Sequence, residues 1–508
     1  MRIRASIIIV IIFCGNISLQ AQQTLPTWHW SYSVIERLQD EGHFQSLSLL
    51  ASPYTHEQVA MVLSRSSGAL KNNAELRPLY LRLVNEFIKK PGIQYPADGQ
   101  RPVELGGHAQ AGFRETPGDN AAYRGMYRCR IAVPLGTHVM VYNGINFDQN
   151  LNDDPRYVGK EWRGIAGYTE QAYIAGRWGR YHVKYGRDFL KWGVGSSGTL
   201  VFTNVSRPMD LFNAGVKVGP FHYQYLTARL DDETVSKSVA RRYLSSHRLE
   251  GCFFNGRIQA AVSETIIYGG VNRNPEWVYL NPFVFYHGAQ LNESGLGNTL
   301  GTVDISVYIT DTWRVYGSLL IDDVQIEKTG PGDLEPNEIG WILGSRYAGL
   351  WSGAVLDLEY ARVTNRTYKT TNTWESFLHR NFPLGHPLGN DFDHWQIGLA
   401  QWVGASLWGR VAYSQTRHGE GSLYTSWDQP WMDYTVKEGY SEPFPTGVVE
   451  TQNSIKLELK YQPSIHWGIE GFFQSISRDN AFNVKGTSQS DTAWRIGFWW
   501  DGDLQIRL

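Results

Sequence analysis

The stretch Ile455-Lys456-Leu457-Glu458-Leu459-Lys460-Tyr461 alternates apolar and charged side chains without a break. Successive side chains of a β-strand point to opposite faces, so such a strand has one apolar and one charged face. Residues 302–309, Thr-Val-Asp-Ile-Ser-Val-Tyr-Ile, repeat the pattern with Asp304 on the polar face. The period of two begins near Val103 and continues to the end of the chain. It predicts an all-β region over residues 101–508.

Soluble β-sandwiches contain strands of the same period, but three features favour a barrel that spans a bilayer. The predicted strands have about 9–12 residues, which suits a tilted crossing. Connections alternate between short ones, such as Pro463-Ser464, and long ones, such as 417–452. Apolar faces often begin or end in Tyr or Trp, as in an aromatic girdle. At about 22 residues per strand and connection, roughly 16–20 antiparallel strands fit. The last residue, Leu508, is aliphatic, whereas such barrels often end in an aromatic residue.

Residues 22–100 have the helical period instead, and we expect a small helical bundle that ends in a linker. Apolar residues share one face of a first helix over Ser31–Asp40. Thr55 caps a second helix, with Gln58 three residues later in the position of a capping box. A third helix is predicted from about Asn73 to Lys89, because leucines recur there at helical spacing.

The first residues have the features of an export signal. Two arginines precede the apolar run Ile7–Phe13, and the small residue Ala21 stands at a cleavage position. We therefore interpret residues 1–21 as a Sec signal peptide. Export permits disulfides, and Cys129 and Cys252 remain after cleavage. They lie in different predicted strands, so two unpaired cysteines in the barrel wall are the favoured interpretation.

Composition excludes several classes of function. The formal charge of the 508 residues is −2, which provides no basic excess to neutralise a nucleic-acid backbone. After the signal, no run approaches the roughly 18–20 apolar residues of a membrane-spanning helix. Gly-x-Ser-x-Gly, Walker and His-Glu-x-x-His motifs are missing. Glu264 and Glu293 are a candidate carboxylate pair for glycoside hydrolysis, but their separation cannot be read from sequence. We expect no catalysis and no cofactor.

The 19 Trp and 28 Tyr residues fit two environments. Their rings suit membrane interfaces, where one end is wet and the other dry. A flat ring also stacks against the C–H face of a sugar. Composition alone does not choose between these two interpretations.

Four segments recur in a fixed order. They are Trp28-His29-Trp30-Ser31-Tyr32 in the helical region, then Gly186–Gly195, Ser263–Gly270 followed by Tyr279-Leu280-Asn281-Pro282, and Leu384–Asp391. The second segment contains Gly-Arg and Trp-Gly-x-Gly. Together the segments span nearly the whole mature chain and resemble the Wzi family of capsule-assembly outer-membrane proteins.

The resemblance implies an 18-stranded barrel with a helical bundle in the periplasm. It also implies a lectin-like protein without catalytic activity, which holds capsular or extracellular polysaccharide at the surface of the outer membrane. Outer-membrane lipids would be its other partners, and we expect a monomer. A porin or carbohydrate channel is the alternative, because the inner strand faces are charged.

A first candidate carbohydrate site follows a predicted strand and precedes a glycine-rich turn. Its residues are Arg187, Asp188, Lys191 and Trp192. Charged groups and an indole beside a flexible turn suit contact with a glycan. Alternatively, Arg187 and Asp188 pair inside the lumen and the glycines allow a tight bend.

A second candidate lies in the long connection 417–452, which we expect outside the cell. Its candidate residues are Tyr424, Trp427, Trp431 and Tyr434, with Tyr440 nearby. Connections of this length usually carry function or are disordered. Stacking on sugars is one interpretation, and folding of the aromatic side chains over the barrel mouth is the other.

The stretch 379–394 contains five side chains that are able to bind metal. They are His379, His386, Asp391, Asp393 and His394. Oxygen ligands suit calcium, but the spacing matches no recognised loop. Pro387 and Gly389 instead suggest the tip of a folded hairpin, so we predict no metal site.

Overall fold

The computed structural model describes residues 23–88, 103–118, 120–154, 157, 159–204, 206–292, 297–327 and 329–506. The predicted signal peptide over residues 1–21, the linker over residues 93–102, Glu293 and Leu508 lie outside the described residues. The family-matched barrel and its helical domain lie almost entirely within them.

Within the described residues, eighteen long antiparallel strands form one closed barrel, which confirms the predicted fold. The strands are β1 Val103–Glu115, β2 Ala122–Leu135, β3 Val139–Asp148, β4 Ile165–Trp178, β5 Tyr181–Asp188, β6 Met209–Val218, β7 Phe221–Arg229, β8 Ser238–Phe253, β9 Ile258–Val271, β10 Asn298–Thr310, β11 Trp313–Asp323, β12 Glu338–Tyr347, β13 Ala354–Val363, β14 Phe392–Val403, β15 Leu407–His418, β16 Glu450–Tyr461, β17 Trp467–Asp479 and β18 Ser488–Ile506. Strand β18 pairs with β1 from Val103↔Ile506 to Glu115↔Trp494 and closes the barrel. Closure leaves no unpaired edge, as a β-structure in lipid requires.

The period of two has the predicted meaning. On β16, Ile455, Leu457 and Leu459 point outward and are 41–56% exposed. Lys456 and Glu458 point into the lumen, where their side chains form an ion pair of 2.9 Å. The apolar faces therefore form the outer wall of the barrel, and the charged faces line its interior.

The two cysteines are free thiols on opposite faces of the wall. Cys129 lies on β2 beside the outward, exposed Tyr127. Cys252 lies on β8 and lines a cavity of the lumen. Because the wall separates them, the two side chains do not meet.

The two ends of the barrel differ in their connections. Turns such as 179–180, 219–220 and 311–312 join strands at one end, which we call the short-turn end. Connections of up to about thirty residues, such as 364–391 and 419–449, lie at the other, the long-loop end. Exposed aromatic residues mark the strand ends beside the short turns, namely Trp178, Tyr181, Trp313, Tyr347 and Tyr461.

The N-terminal region is helical, as predicted, but contains four helices instead of three. They are α1 Ser31–Asp40, α2 His56–Arg65, α3 Ser67–Asn72 and α4 Arg77–Phe87. Helix α1 has the predicted bounds, and Thr55 and Gln58 form the predicted capping box at α2. The single helix predicted over 73–89 was wrong at its start, since the Asn73 side chain accepts hydrogen bonds from the Glu75 and Leu76 amides. Helix α4 begins only at the Pro-containing turn that follows.

Shorter elements complete the chain. Helices α5 Trp277–Leu280 and α6 Tyr286–Asn292 lie in the connection between β9 and β10. Short strands are Ala51–Ser52, Glu161–Trp162, Lys191–Trp192, Glu233–Val235, Leu378–His379 and Phe382–Pro383. No helix in the described part of the chain is long and apolar enough to cross a membrane.

The helical domain covers the short-turn end of the barrel. The Arg82 guanidinium on α4 donates hydrogen bonds to the carbonyl oxygens of Ala405 (2.8 Å) and Gln462 (2.9 Å), both in short turns. On α1, Asp40 forms an ion pair of 2.7 Å with Arg346 of β12. Polar contacts and a shared apolar core therefore attach the bundle to the barrel.

Candidate functional site

A two-stranded sheet inside the lumen joins the helical domain to the first predicted site. Ala51 pairs with Trp192, and Ser52 pairs with Lys191. The Gly193 amide adds a hydrogen bond of 2.8 Å to the carbonyl oxygen of Leu50. The connection 189–208 therefore folds inward to meet a segment that rises from the short-turn end.

Trp192 lies at the centre of this junction and is 1% exposed. Its ring meets Phe202 edge to face at 5.3 Å, and the Arg248 guanidinium lies 5.5 Å from its centroid. Arg248 is itself fully buried and forms an ion pair of 2.8 Å with Asp304. A buried charge needs such a partner, so Arg248 and Asp304 hold each other and the indole in place.

A third segment completes what we call the lumen plug, formed by residues 47–52, 189–204 and 366–390. The Tyr368 hydroxyl donates to the carbonyl oxygen of Leu200 at 2.6 Å, and the Thr203 amide donates to that of Leu384 at 2.8 Å. Apolar side chains of the plug pack in one core against strands β6 to β14. The plug thus fills the part of the lumen that these strands enclose.

Arg187 and Asp188 do not pair with each other, because they point to opposite faces of β5. Arg187 shares the outer face with Tyr185, which is 66% exposed, and binds Asp210 of β6 through two hydrogen bonds of 2.7 and 2.8 Å. Asp188 points inward and is 1% exposed. The interpretation of a mutual pair in the lumen was therefore wrong.

Inside the lumen, Asp188 is saturated with donors. It accepts hydrogen bonds from the side chains of Thr24 (3.0 Å) and Gln171 (2.7 Å) and forms an ion pair with Lys184. Lys191 lines a cavity of about 340 Å³ together with Arg346 and residues of α1. The structure thus separates the four residues of this candidate between the plug and the outer wall. As glycan contacts they stay a prediction, and their surroundings favour structural roles.

The potential metal ligands of 379–394 each have a different partner. His379 contacts Asp231 at 3.1 Å, and His394 contacts the Thr416 hydroxyl at 2.8 Å. Asp393 pairs with Arg417, and Asp391 accepts the Thr446 hydroxyl. No cluster of three or more metal-binding side chains occurs among the residues that the structure describes.

A polar cavity of about 570 Å³ lies on the opposite side of the lumen, at the closure of the barrel. Trp28 of the helical domain projects into this region, with the Arg128 guanidinium 4.8 Å from its ring centroid. Arg495 and Glu470 face each other across the β17–β18 pair in the same cavity. The lumen therefore has a packed side and a cavity-containing side.

The second predicted site lies at the long-loop end and is folded around one arginine. Arg366 lies 4.3 Å from the ring centroid of Trp431 and 5.1 Å from that of Trp427. Its guanidinium also binds Asp428 and Glu442 at 3.1 and 3.0 Å. We call these five residues the Arg366 cluster. A cation held against two indoles and paired with carboxylates keeps the loop 419–449 on the neighbouring loop 364–391.

Burial within the loop tunes its charged groups. Burial raises the pKa of Glu442, and the adjacent Arg366 opposes this shift. Burial also lowers the pKa of Lys369, whose ammonium donates to the Thr425 hydroxyl at 3.1 Å. The loop is therefore an ordered part of the fold whose ion pairs are partly withdrawn from water.

The aromatic residues of this loop present two kinds of surface. Trp431 is 1% exposed and belongs to the fold, whereas Tyr424 and Tyr434 are 59% and 43% exposed. The Tyr434 ring contacts Tyr440 at 5.2 Å, and the Tyr424 hydroxyl donates to the Asn381 carbonyl oxygen at 2.9 Å. Both proposed roles, folding over the mouth and offering rings to solvent, occur in the same loop.

Sequence reasoning missed Arg366 and Glu442, which organise the aromatic loop. Arg366 lies in a polar stretch, Thr364-Asn365-Arg366-Thr367, with no periodicity or motif around it. Its partners are 62 and 76 residues away. The excess of Trp in the loop was the one signal that pointed to a cation in its core.

Comparisons with known proteins agree with this architecture. The family model of the capsule assembly protein Wzi matches residues 135–493. Wzi of Escherichia coli, described as a carbohydrate-binding outer-membrane β-barrel involved in group 1 capsule assembly, has a similar structure. The two chains are 14% identical, the alignment covers 96% of this chain and 100% of that one, and the TM-score is 0.63. At this identity the likeness concerns the fold alone.

Two Pseudomonas aeruginosa structures share less of the fold. OccD3 (OpdP) and OpdK with vanillate are each 10% identical to this chain and cover 82% and 79% of it, with 98% and 99% of their own chains aligned. Their TM-scores of 0.47 and 0.48 are too low to support an argument about function. No curated protein sequence matches the chain. Because the family model spans most of its length, the chain belongs to the Wzi family of capsule assembly proteins.

Proposed function

We propose that this protein is a non-enzymatic, lectin-like barrel that attaches capsular polysaccharide to the cell surface. The barrel lies in the outer membrane as a monomer, with its helical domain in the periplasm. Polysaccharide binds at the long-loop end, where Tyr424 and Tyr434 offer exposed ring faces to sugars. Short turns face the periplasm in barrels of this type, so the helical domain at that end supports this orientation.

The observation that carries the proposal is the ordered aromatic loop at the mouth. The Arg366 cluster fixes the loop backbone, so the exposed rings are held in place before a ligand arrives. Preorganised rings lose little conformational freedom on binding, which favours a weak, repeated ligand such as a polysaccharide chain. The plug beneath the loop supports a role in binding at the surface over transport through the lumen.

Replacement of both exposed rings tests the proposal. If each stacking contact contributes about 1 kcal/mol, the variant Tyr424→Ala/Tyr434→Ala binds purified capsular polysaccharide of the same bacterium roughly 10–30-fold more weakly. Binding is measured by biolayer interferometry with protein in detergent. The matched control is Tyr181→Ala, which removes a ring of similar exposure (57%) at the short-turn end and leaves affinity unchanged. Equal affinity of the double variant and the wild type would contradict the proposal.

A channel for ions or carbohydrates is the second candidate. The cavity of about 570 Å³ with its charged lining favours it, because lumens of conducting barrels are polar. The lumen plug opposes it. Conductance in planar lipid bilayers distinguishes the two functions, since a lectin without transport activity has none.

A further inference from the structure

The connection between β9 and β10 lies against the outer wall of the barrel. We call its described residues 272–292, which include α5 and α6, the lateral arm. On β9, Val262 faces outward and is 51% exposed, whereas Ile266 and Tyr268 on the same face are fully buried. The lateral arm covers this upper part of the face, with Tyr279 and Tyr286 packed against those side chains.

The lateral arm reaches far along the wall. Phe283 stacks on Tyr223 of β7 with ring centroids 5.6 Å apart, and the Tyr223 hydroxyl donates to the Pro282 carbonyl oxygen. Tyr223 pairs in register with Leu249, which lies four residues from Phe253 at the short-turn end of β8. Four residues rise about 13 Å along a strand, so Phe283 lies at the height of the apolar band.

Contacts behind the lateral arm show that it is docked on the wall. Glu264 of β9 points outward, where a carboxylate exposed to lipid would be unfavourable. Its two oxygens accept hydrogen bonds from the amides of Tyr286 (2.9 Å) and His287 (2.8 Å), and His247 lies 3.1 Å away. The lateral arm thus supplies the partners that this carboxylate needs, and the carboxylate in turn fixes the start of α6.

The surface that the lateral arm turns away from the barrel is strongly apolar. Trp277, Phe283, Phe285 and Leu291 are 65–88% exposed. Residues 277–292 contain no Asp, Glu, Lys or Arg. Large aromatic side chains this exposed are costly in water unless another apolar phase covers them. Lower on the wall, the exposed Leu249 and Val262 continue the same apolar surface.

We propose that the lateral arm is embedded in the bilayer and binds lipid acyl chains with Trp277, Phe283, Phe285 and Leu291. The position on the outer wall, the missing charges and the continuity with the apolar band specify this occupant. Hydrogen bonds to Glu264 satisfy the backbone at the start of α6, as a helix at membrane depth requires. The proposal depends on the barrel spanning a bilayer and is independent of glycan binding.

Depth-dependent quenching tests the proposal on the full-length mature protein. In a Cys129→Ala/Cys252→Ala background, Phe283→Cys is labelled with a thiol-reactive bimane and reconstituted into phosphatidylcholine vesicles brominated at mid-chain. We expect the fluorescence to fall by about half relative to unbrominated vesicles, because bromine in the hydrocarbon contacts the label. Val262→Cys on the bare wall serves as the quenched reference, and Tyr424→Cys in the mouth loop serves as the unquenched one.

Two results would overturn the proposal. If Phe283→Cys behaves like Tyr424→Cys while Val262→Cys is quenched, the lateral arm faces water. If it is shielded from bromine but becomes crosslinked to a second protein when residue 283 carries a photoreactive side chain, a protein covers the surface instead. Trp277→Cys provides a second label site should Phe283→Cys fail to fold. The variant Glu264→Ala, combined with Phe283→Cys, is expected to change the quenching because it removes the acceptor that docks α6.

Discussion

The two segments that the sequence singled out as carbohydrate sites have similar residues and different fates. Both contain Trp beside charged residues in a connection between strands. The segment around Trp192 folds into the lumen, where its indole is buried against Phe202 and Arg248. The loop around Trp431 folds at the mouth and leaves Tyr424 and Tyr434 exposed. In each, an arginine holds a buried indole, yet only the mouth loop also presents rings to solvent.

The difference shows that a Trp–Arg pair identifies an ordered loop but not a binding surface. Around Trp192, the third side of the indole meets apolar plug residues, so no face remains for a ligand. Around Trp431, the neighbouring loop ends at the solvent, and the outer residues of the same cluster remain accessible. Function thus depends on which compartment surrounds the pair.

Removal of the buried indole of the plug should have the largest effect. We expect Trp192→Ala to lower the free energy of unfolding by about 3–5 kcal/mol, because it leaves a large cavity beside a buried ion pair. Loosening of the plug should also produce ion conductance in planar bilayers. Denaturant unfolding and conductance recordings measure the two effects.

Trp351→Ala is the matched control, since Trp351 is 56% exposed in a short turn and packs against no plug residue. It should change stability by less than about 1 kcal/mol and leave the bilayer non-conducting. Wild-type stability and silence of Trp192→Ala in the same recordings would mean that the plug does not depend on this junction.

Removal of the arginine at the mouth should have an intermediate, local effect. We expect Arg366→Ala to destabilise the loop 419–449 by about 2 kcal/mol, since it removes two cation–π contacts and leaves Glu442 without its partner. Limited proteolysis should then cut the loop roughly 30-fold faster, while the barrel keeps its stability. Arg366→Lys should restore little, because an ammonium cannot bridge two carboxylates in the manner of a planar guanidinium.

Arg229→Ala provides the comparison for the loop. Its ion pair with Asp232 is about 40% exposed on both sides, so loss of the pair should change cleavage little. An Arg366→Ala protein as resistant to protease as the wild type would show that the Arg366 cluster does not order the loop.

A pH effect at the mouth should be the smallest of the three. Burial, with a contribution from Asp323, raises the pKa of Glu335 from 4.5 to about 7. Because the folded state binds the proton more tightly, it loses stability relative to the open loop as pH rises from about 4.5 to about 7. Residues 331–334 pack against 430–433, so the amides of this contact should exchange faster at pH 8 than at pH 5 after correction for intrinsic rates.

Glu335→Gln should remove this dependence, and the Trp192 and Gly193 amides in the plug should not follow it. Equal corrected exchange at pH 5 and pH 8 in the wild type would contradict the prediction. A dependence that persists in Glu335→Gln would assign it to another carboxyl group, such as Glu442.

The sequence by itself determined the barrel, the boundary near Val103 and the capped helix at Thr55. These features depend on local rules: alternation of side chains along a strand, helical spacing and the side-chain bonds of a cap. The outward position of Leu457 and the inward position of Glu458 follow from their parity alone. The split of the predicted third helix at Asn73 was missed because a single side-chain cap there outweighs the helical period.

Only the tertiary structure decided which connections fold inward, outward along the wall, or over the mouth. The partners of Trp192, Arg366 and Glu264 lie on segments 22 to 141 residues away, such as Ser52 of the helical domain and Tyr286 of the lateral arm. Pairing over such distances depends on the closure of the barrel, which brings remote connections to one lumen or one face. No local pattern in the chain encodes that meeting, so the candidate sites could be named from the sequence but not placed.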